Sequence, residues 1–136
     1  LMEIEIKFNE THKAPIGSPR PRFSKRGNFV QTYMPATYTA HKAFIQKQMP
    51  KVMLKSDLIV TIEFLFNPPK SWSNKKRLAM IGQYKRTKPD IDNLIKTVLD
   101  AANKHLWKDD NQIVEVRSFK KYADEPKIVM SVTEVD

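Results

Sequence analysis

The segment Leu58-Ile59-Val60-Thr61-Ile62-Glu63-Phe64-Leu65-Phe66 decides the architecture of this chain. It is rich in β-branched and aromatic residues, which suit a pleated, packed surface, and Asn67-Pro68-Pro69 stops it. Its near-continuous apolarity predicts a central strand. Towards the N-terminus, Met2 to Phe8 alternates apolar and polar side chains, the pattern of a strand with one buried face. Pro35 suits the first turn of a helix, and residues 36–52 have helical composition, with Ala43, Phe44 and Met49 for a buried side and Pro50 to shorten or kink it. Between these elements, residues 9–31 carry Pro15, Gly17, Pro19, Pro21 and Gly27 together with Lys13, Arg20, Arg22, Lys25 and Arg26. They read as a long basic loop, and long loops in compact domains are often functional.

Towards the C-terminus, residues 71–81 suit a short helix bearing Lys75, Lys76 and Arg77, and a second basic connection, 82–89, brings Lys85, Arg86 and Lys88. From Ile91, apolar residues fall at Leu94, Ile95, Val98, Leu99, Ala102 and Leu106, which predicts an amphipathic helix of about four turns. Its opposite edge stacks Asp92, Lys96 and Asp100 at spacings of four. After Asp109-Asp110-Asn111, two alternating segments, 113–121 and 127–135, flank Asp124-Glu125-Pro126 and predict an antiparallel hairpin. The expected fold class is α+β. A mixed, largely antiparallel sheet of about four strands packs with two main helices in a single compact domain over 1–136, with basic loops at 9–31 and 82–89.

At 136 residues and 40% hydrophobic, the chain has the size of one domain with its own core. It holds no cysteine, which excludes a disulfide framework and thiolate metal ligands. No apolar run approaches a membrane span, and the alternating N-terminus lacks the apolar stretch of a secretion signal, so a cytoplasmic, soluble protein is expected, with no membrane partner. Three glycines, none arranged as a phosphate-binding loop, argue against a nucleotide cofactor. The net charge of +9 is unevenly placed: residues 1–89 hold 17 Lys+Arg against 5 Asp+Glu, and residues 90–136 hold 7 against 10. The economical reading is that bound cations offset the late carboxylates while the basic surface attracts phosphates.

The acidic residues cluster in Lys88-Pro89-Asp90-Ile91-Asp92-Asn93-Leu94-Ile95-Lys96, then at Asp100 and Asp109-Asp110. Each has an ordinary reading. Asp90 or Asp92 would cap the helix, Asp100 would pair with Lys96, and Asp109-Asp110-Asn111 would be a polar turn. Together they suit a carboxylate site for a hard divalent ion, Mg²⁺ or Mn²⁺, because clustered carboxylates do not all ionise cheaply without cations. The distant pair reaches Asp92 only if the chain doubles back after a helix ~24 Å long. His12, His41 and His105 show no zinc spacing and read as surface or structural residues.

These stretches resemble the RusA Holliday junction resolvases. The likeness rests on residues 88–96, on Val98-Leu-Asp-Ala101, on Trp107-Lys-Asp-Asp-Asn-Gln-Ile113 and on Lys120-Lys121, with Gly17-Ser-Pro-Arg-Pro-Arg22 similar to the family's arginine-rich loop. The resemblance implies a homodimeric, Mg²⁺-dependent endonuclease that cuts four-way DNA junctions by paired, symmetric nicks. By position it implies catalytic roles for Asp90, Asp92, Lys96 and Asp110, metal binding by Asp90, Asp92, Asp109 and Asp110, and a supporting role for Asp100. The basic residues Arg20, Arg22, Lys25, Arg26, Lys75, Lys76, Arg77, Lys85, Arg86 and Lys88 would grip DNA backbones, with salt-sensitive affinity. Phe23, Phe29, Tyr33 and Trp72 are open to base stacking or to core packing. Two rival readings stand beside this one: a metal nuclease acting on flaps or other branched DNA, and a non-catalytic DNA-architectural module.

Overall fold

In a computed structural model that describes residues 1–135, apart from the Arg26 side chain, the chain forms three helices and six strands. In order these are β1 (Met2–Lys7), β2 (Arg22–Arg26), β3 (Phe29–Tyr33), α1 (Ala36–Gln46), β4 (Leu58–Phe66), α2 (Asn74–Met80), α3 (Ile91–Ala102), a 3₁₀ turn (Asp110–Gln112), β5 (Ile113–Tyr122) and β6 (Lys127–Glu134). The main sheet runs β1-β6-β4-β5, with β4 parallel to β5 and antiparallel to β6, and β1 antiparallel to β6. The α+β class and the four-stranded mixed sheet match the expectation from sequence. No helix among the described residues is long and apolar enough to cross a membrane.

The apolar segment at 58–66 is the inner strand predicted for it. Leu58, Val60, Ile62, Phe64 and Phe66 are buried on the helix side, and Ile59, Thr61, Glu63 and Leu65 are half-buried on the other. This placement corrects the hairpin predicted for the last two segments: β4 lies between β5 and β6. The chain's most apolar strand gains most from two flanking neighbours, whereas Glu115 and Arg117 suit an edge strand. The connection between β5 and β6 crosses the end of β4, where the Ala123 N–H donates to the Phe66 carbonyl at 2.8 Å.

Helices α1 and α3 cover one face of the sheet. Leu94, Val98, Ala101 and Ala102 of α3 join Ile4, Ile6, Val60, Ile62, Met130 and Trp107 in a continuous core. Burying each such large apolar side chain stabilises the fold by roughly 1.5–3 kcal/mol. α1 ends at Gln46 instead of reaching Val52, because the residue before Pro50 is pushed out of helical geometry. The Gln46 amide then donates to the Ala101 carbonyl at 3.0 Å, satisfying one of the orphan acceptors at the end of α3. α3 itself stops at Ala102, short of the predicted Leu106, and Lys104 turns the chain with a left-handed φ of 62°.

Residues 9–31 are not all loop. Residues 22–33 form a separate antiparallel ribbon, β2 against β3, turned at Gly27 with φ 59°. The β-branched and aromatic content of Phe29-Val30-Gln31-Thr32-Tyr33, directly after the turn residues Gly27-Asn28, is the signal that identifies it.

Candidate active site

The β4–α3–β5 crossover fixes where each aspartate lies. A parallel pair of strands needs a connection that returns along the sheet, so α3 begins at the carboxyl ends of β4 and β5 and finishes at their amino ends. Asp90 and Asp92 occupy the first end. Asp109 and Asp110, immediately before β5, occupy the second.

At that carboxyl end the backbone leading into α3 is clamped. The Lys120 ammonium, near the end of β5, donates to the Thr87 and Pro89 carbonyls at 2.7 Å each. From the other side, residues 16–18 strap the first turns of α3. The Ser18 N–H donates to the Asn93 carbonyl at 2.9 Å, and the Thr97 hydroxyl donates to the Ile16 carbonyl at 3.0 Å. Gly17 permits this approach, since a Cβ there would lie 2.9 Å from the Asn93 Cβ. Behind the strap, the Ile16 N–H donates to Nε2 of His41 at 3.4 Å. His41 is 2% exposed, and burial, helped by neighbouring His12, pushes its pKa down to about 4. It is thus held neutral, as an acceptor.

On this rigid base the chemically interesting groups stand open. Asp90 occupies the N-cap position of α3, yet its side chain makes no capping hydrogen bond. Asp92 in the first turn and Lys96 one turn later are exposed. Among the described residues, the ion pairs are Lys127–Glu5 at 2.8 Å and Lys127–Glu125 at 3.8 Å, so Lys96 is paired with neither Asp92 nor Asp100. The ordinary readings of Asp90 as a cap and Lys96 as an ion-pair partner are therefore not realised. An open cleft beside them is lined by Ile16, Gly17, Ser18, Lys88, Asp90 and Asn93.

The second acidic group makes hydrogen bonds within its own turn and to the end of α3. Asp109 caps the 3₁₀ turn: its side chain accepts from the Asp110 N–H at 2.9 Å, in a reciprocal capping box with Gln112. The Gln112 amide also donates to the Leu54 and Ser56 carbonyls at 2.9 and 3.0 Å. Asp110 is half-buried and accepts from the Asn103 amide at 3.4 Å. Asp100 accepts from the Tyr38 hydroxyl at 3.4 Å, joining α1 to α3.

The expected gathering of Asp90, Asp92, Asp109 and Asp110 does not occur within one chain. Among the described residues, no three carboxylate or imidazole groups converge to hold a metal ion. The physical reason is the run of β5 from Ile113 to Lys120, which separates the two acidic ends by roughly 23 Å at ~3.3 Å per residue.

Most of the basic residues expected at DNA are exposed, and Lys88 lines the cleft beside Asp90. Arg20, Arg22, Lys25, Lys75, Lys76, Arg86 and Lys88 are exposed, and Lys76 lies over the Trp72 ring at 4.1 Å. The Arg26 side chain, also expected at a DNA backbone, lies outside the described residues. Lys85 and Arg77 sit deeper than expected. Lys85 is half-buried, donates to the Thr87 hydroxyl at 2.7 Å, and burial lowers its pKa with Lys120 adding a smaller push. Arg77 is half-buried with Nη2 donating to the Pro68 carbonyl at 3.5 Å. Ser18, His41 and Lys120 were not legible as supports of the site, because their partners lie 25 to 75 residues away in sequence.

Comparison with known proteins places the sequence in a family. The profile described as endodeoxyribonuclease RusA matches residues 13–133. The uncharacterized protein YqaN of Bacillus subtilis (strain 168) is 33% identical over 138 residues, covering 96% of each chain. The crossover junction endodeoxyribonuclease rusA of Lactococcus phage r1t is 30% identical over 141 residues, covering 98% of this chain and all of that one. The motif at the entrance of α3 and the Asp109-Asp110 turn both fall inside the matched span, and the chain belongs to the RusA family of endodeoxyribonucleases.

Proposed function

We propose that the chain is a structure-selective endodeoxyribonuclease that resolves Holliday junctions by paired symmetric nicks, through Mg²⁺-dependent phosphodiester hydrolysis, in DNA recombination and repair. The observation that carries this reading is the state of Asp90: it stands at a helix N-cap without capping, beside an equally uncommitted Asp92 and Lys96. The crossover-junction activity is that named for the phage relative.

The donor set fits the metal. Mg²⁺ commonly takes one or two carboxylates and leaves its other positions to water and phosphate oxygens, so a pair of exposed aspartates suits it better than a closed cage. Mn²⁺ suits the same oxygens. When bound, the ion supplies a Lewis acid that activates water and neutralises charge on the leaving oxygen. Asp90 and Asp92 hold and orient it. Lys96 places a fixed positive charge beside the phosphate, where it stabilises charge developing in the transition state. Lys120 acts as a positioning residue by fixing the backbone that carries Asp90. The exposed basic residues grip the DNA arms.

Asp110 joins such a site only from a second copy. A C2 homodimer would offer two opposed sites to a junction that itself has approximate two-fold symmetry. Val114 and Val116, 59% and 39% exposed on the β5 edge close to Asp110, give two copies apolar surface to bury.

The test compares a synthetic four-way junction, a flap and a plain duplex, each with Mg²⁺ or with chelator, for wild type and Asp92→Asn. Mg²⁺-dependent nicks on opposed junction strands, absent in the variant, are expected. Binding without nicking at any divalent concentration would favour an architectural module, and equal cutting of flaps would favour a broader nuclease.

A further inference from the structure

The β2–β3 ribbon is exposed on both faces, although it carries much of the chain's uncovered aromatic surface. Phe23 is 69% exposed, Phe29 78%, Val30 65% and Tyr33 48%. An isolated two-stranded ribbon is marginal in water, and exposed rings add nothing to its stability unless something covers them. The register sets cation and ring side by side: Arg22 pairs with Tyr33, and Phe23 stands next to Lys25. No acidic residue occurs from Thr11 to Ser56. A second ribbon would therefore meet like charge, whereas a polyanion with accessible ring faces is complementary in both respects.

The ribbon is also rooted at the site. Its entry strand follows the strap at residues 16–18, which is bonded to Asn93 and Thr97 on the first turns of α3. Five residue pairs span ~17 Å, and the first strand begins four residues after the strap at Ser18. In intact duplex DNA, ring faces are hidden in the stack. They become available where nucleotides are unpaired.

We propose that the β2–β3 ribbon is a base-stacking arm that engages unpaired nucleotides at a branch point, with Phe23, Phe29 and Tyr33 as platforms and Arg22 and Lys25 on the flanking phosphates. This rests on the reading of the chain as a nuclease of branched DNA and adds the element that senses the branch.

The experiment measures affinity for oligo(dT), a blunt duplex and a four-way junction at fixed salt, for wild type, Phe23→Ala/Phe29→Ala and Phe29→Trp, with thermal melting to confirm the core. Base–aromatic stacking predicts a loss of roughly 5- to 150-fold for each stacked base in the alanine variant. That loss should appear with oligo(dT) and the junction, with duplex affinity unchanged. Phe29→Trp should keep wild-type affinity and show quenched tryptophan fluorescence on oligo(dT). Equal losses on duplex would overturn the proposal in favour of groove docking, and a loss of self-association in sedimentation would overturn it in favour of an interface between copies. Wild type that binds DNA while the alanine variant binds equally well would sink the arm alone. Wild type that binds none of the three probes would sink the nuclease reading and the arm together.

Discussion

The two ends of α3 carry the same kind of side chain in opposite circumstances. At the carboxyl end of the sheet, Asp90 and Asp92 are exposed and uncommitted, while the backbone beneath them is held by Lys120, Ser18 and Thr97. At the amino end, Asp109 is locked into a capping box and Asp110 leans on Asn103. The difference teaches that an aspartate's role here is set by what its neighbours leave undone. A capping carboxylate stabilises the fold, and one standing at a cap without capping is available to a ligand.

The largest expected effect breaks the comparison at its active end. Asp90→Asn should slow junction cleavage on the order of 10³-fold or more, since metal-assisted charge stabilisation is worth several kcal/mol. DNA binding should hold or tighten as a repulsive charge is lost, and melting should be unchanged because Asp90 caps nothing. A drop in binding comparable to the drop in rate would count against its role.

Next comes Lys96→Ala, for which a loss of about 10²-fold in single-turnover cleavage is expected, with binding reduced much less. Unchanged turnover would remove Lys96 from the site.

A third measurement sharpens the contrast through pH. His41 supports the strap at the active end and has a folded pKa of about 4, below its ordinary value of 6.5. Below pH ~6.5 the unfolded chain binds a proton that the folded chain refuses, so stability is present above that pH and is lost as pH falls towards 4. Denaturant melts should show about 2 kcal/mol of loss from this group between those limits. His41→Gln should flatten that part of the curve, and an identical pH profile in the variant would contradict the role given to His41.

The smallest effect belongs to the other end. Asp109→Ala should cost about 1 kcal/mol of stability, the usual value of a lost cap, with cleavage reduced far less than by Asp90→Asn. Cleavage abolished in a fully folded Asp109→Ala protein would show that the turn residue is a ligand after all.

Local pattern carried much of this architecture. The apolar run at 58–66 was enough to predict an inner strand, and the 3.6-residue recurrence from Ile91 was enough to predict α3 with Asp92, Lys96 and Asp100 on its open edge. Partner choice was harder to read. Alternation at 113–121 and 127–135 predicts strands, but nothing local says that β4 will pass between them. The ribbon at 22–33 was obscured by prolines and basic residues that suggest loop. The supports of the site were invisible for the same reason: Lys120 reaches Pro89, Ser18 reaches Asn93 and His41 reaches Ile16 only after the sheet and helices have formed. The spacing of the aspartates could not reveal that a parallel crossover holds them at opposite ends of β5.

The claim on which the rest depends is that the entrance of α3 is where the divalent ion sits. An anomalous-difference map from crystals of the protein soaked in Mn²⁺ tests it directly. A peak between the Asp90 and Asp92 carboxylates is expected, with Asp110 approaching it only from a second copy. A peak at the Asp109–Asp110 turn, with none at Asp90 and Asp92, would contradict it.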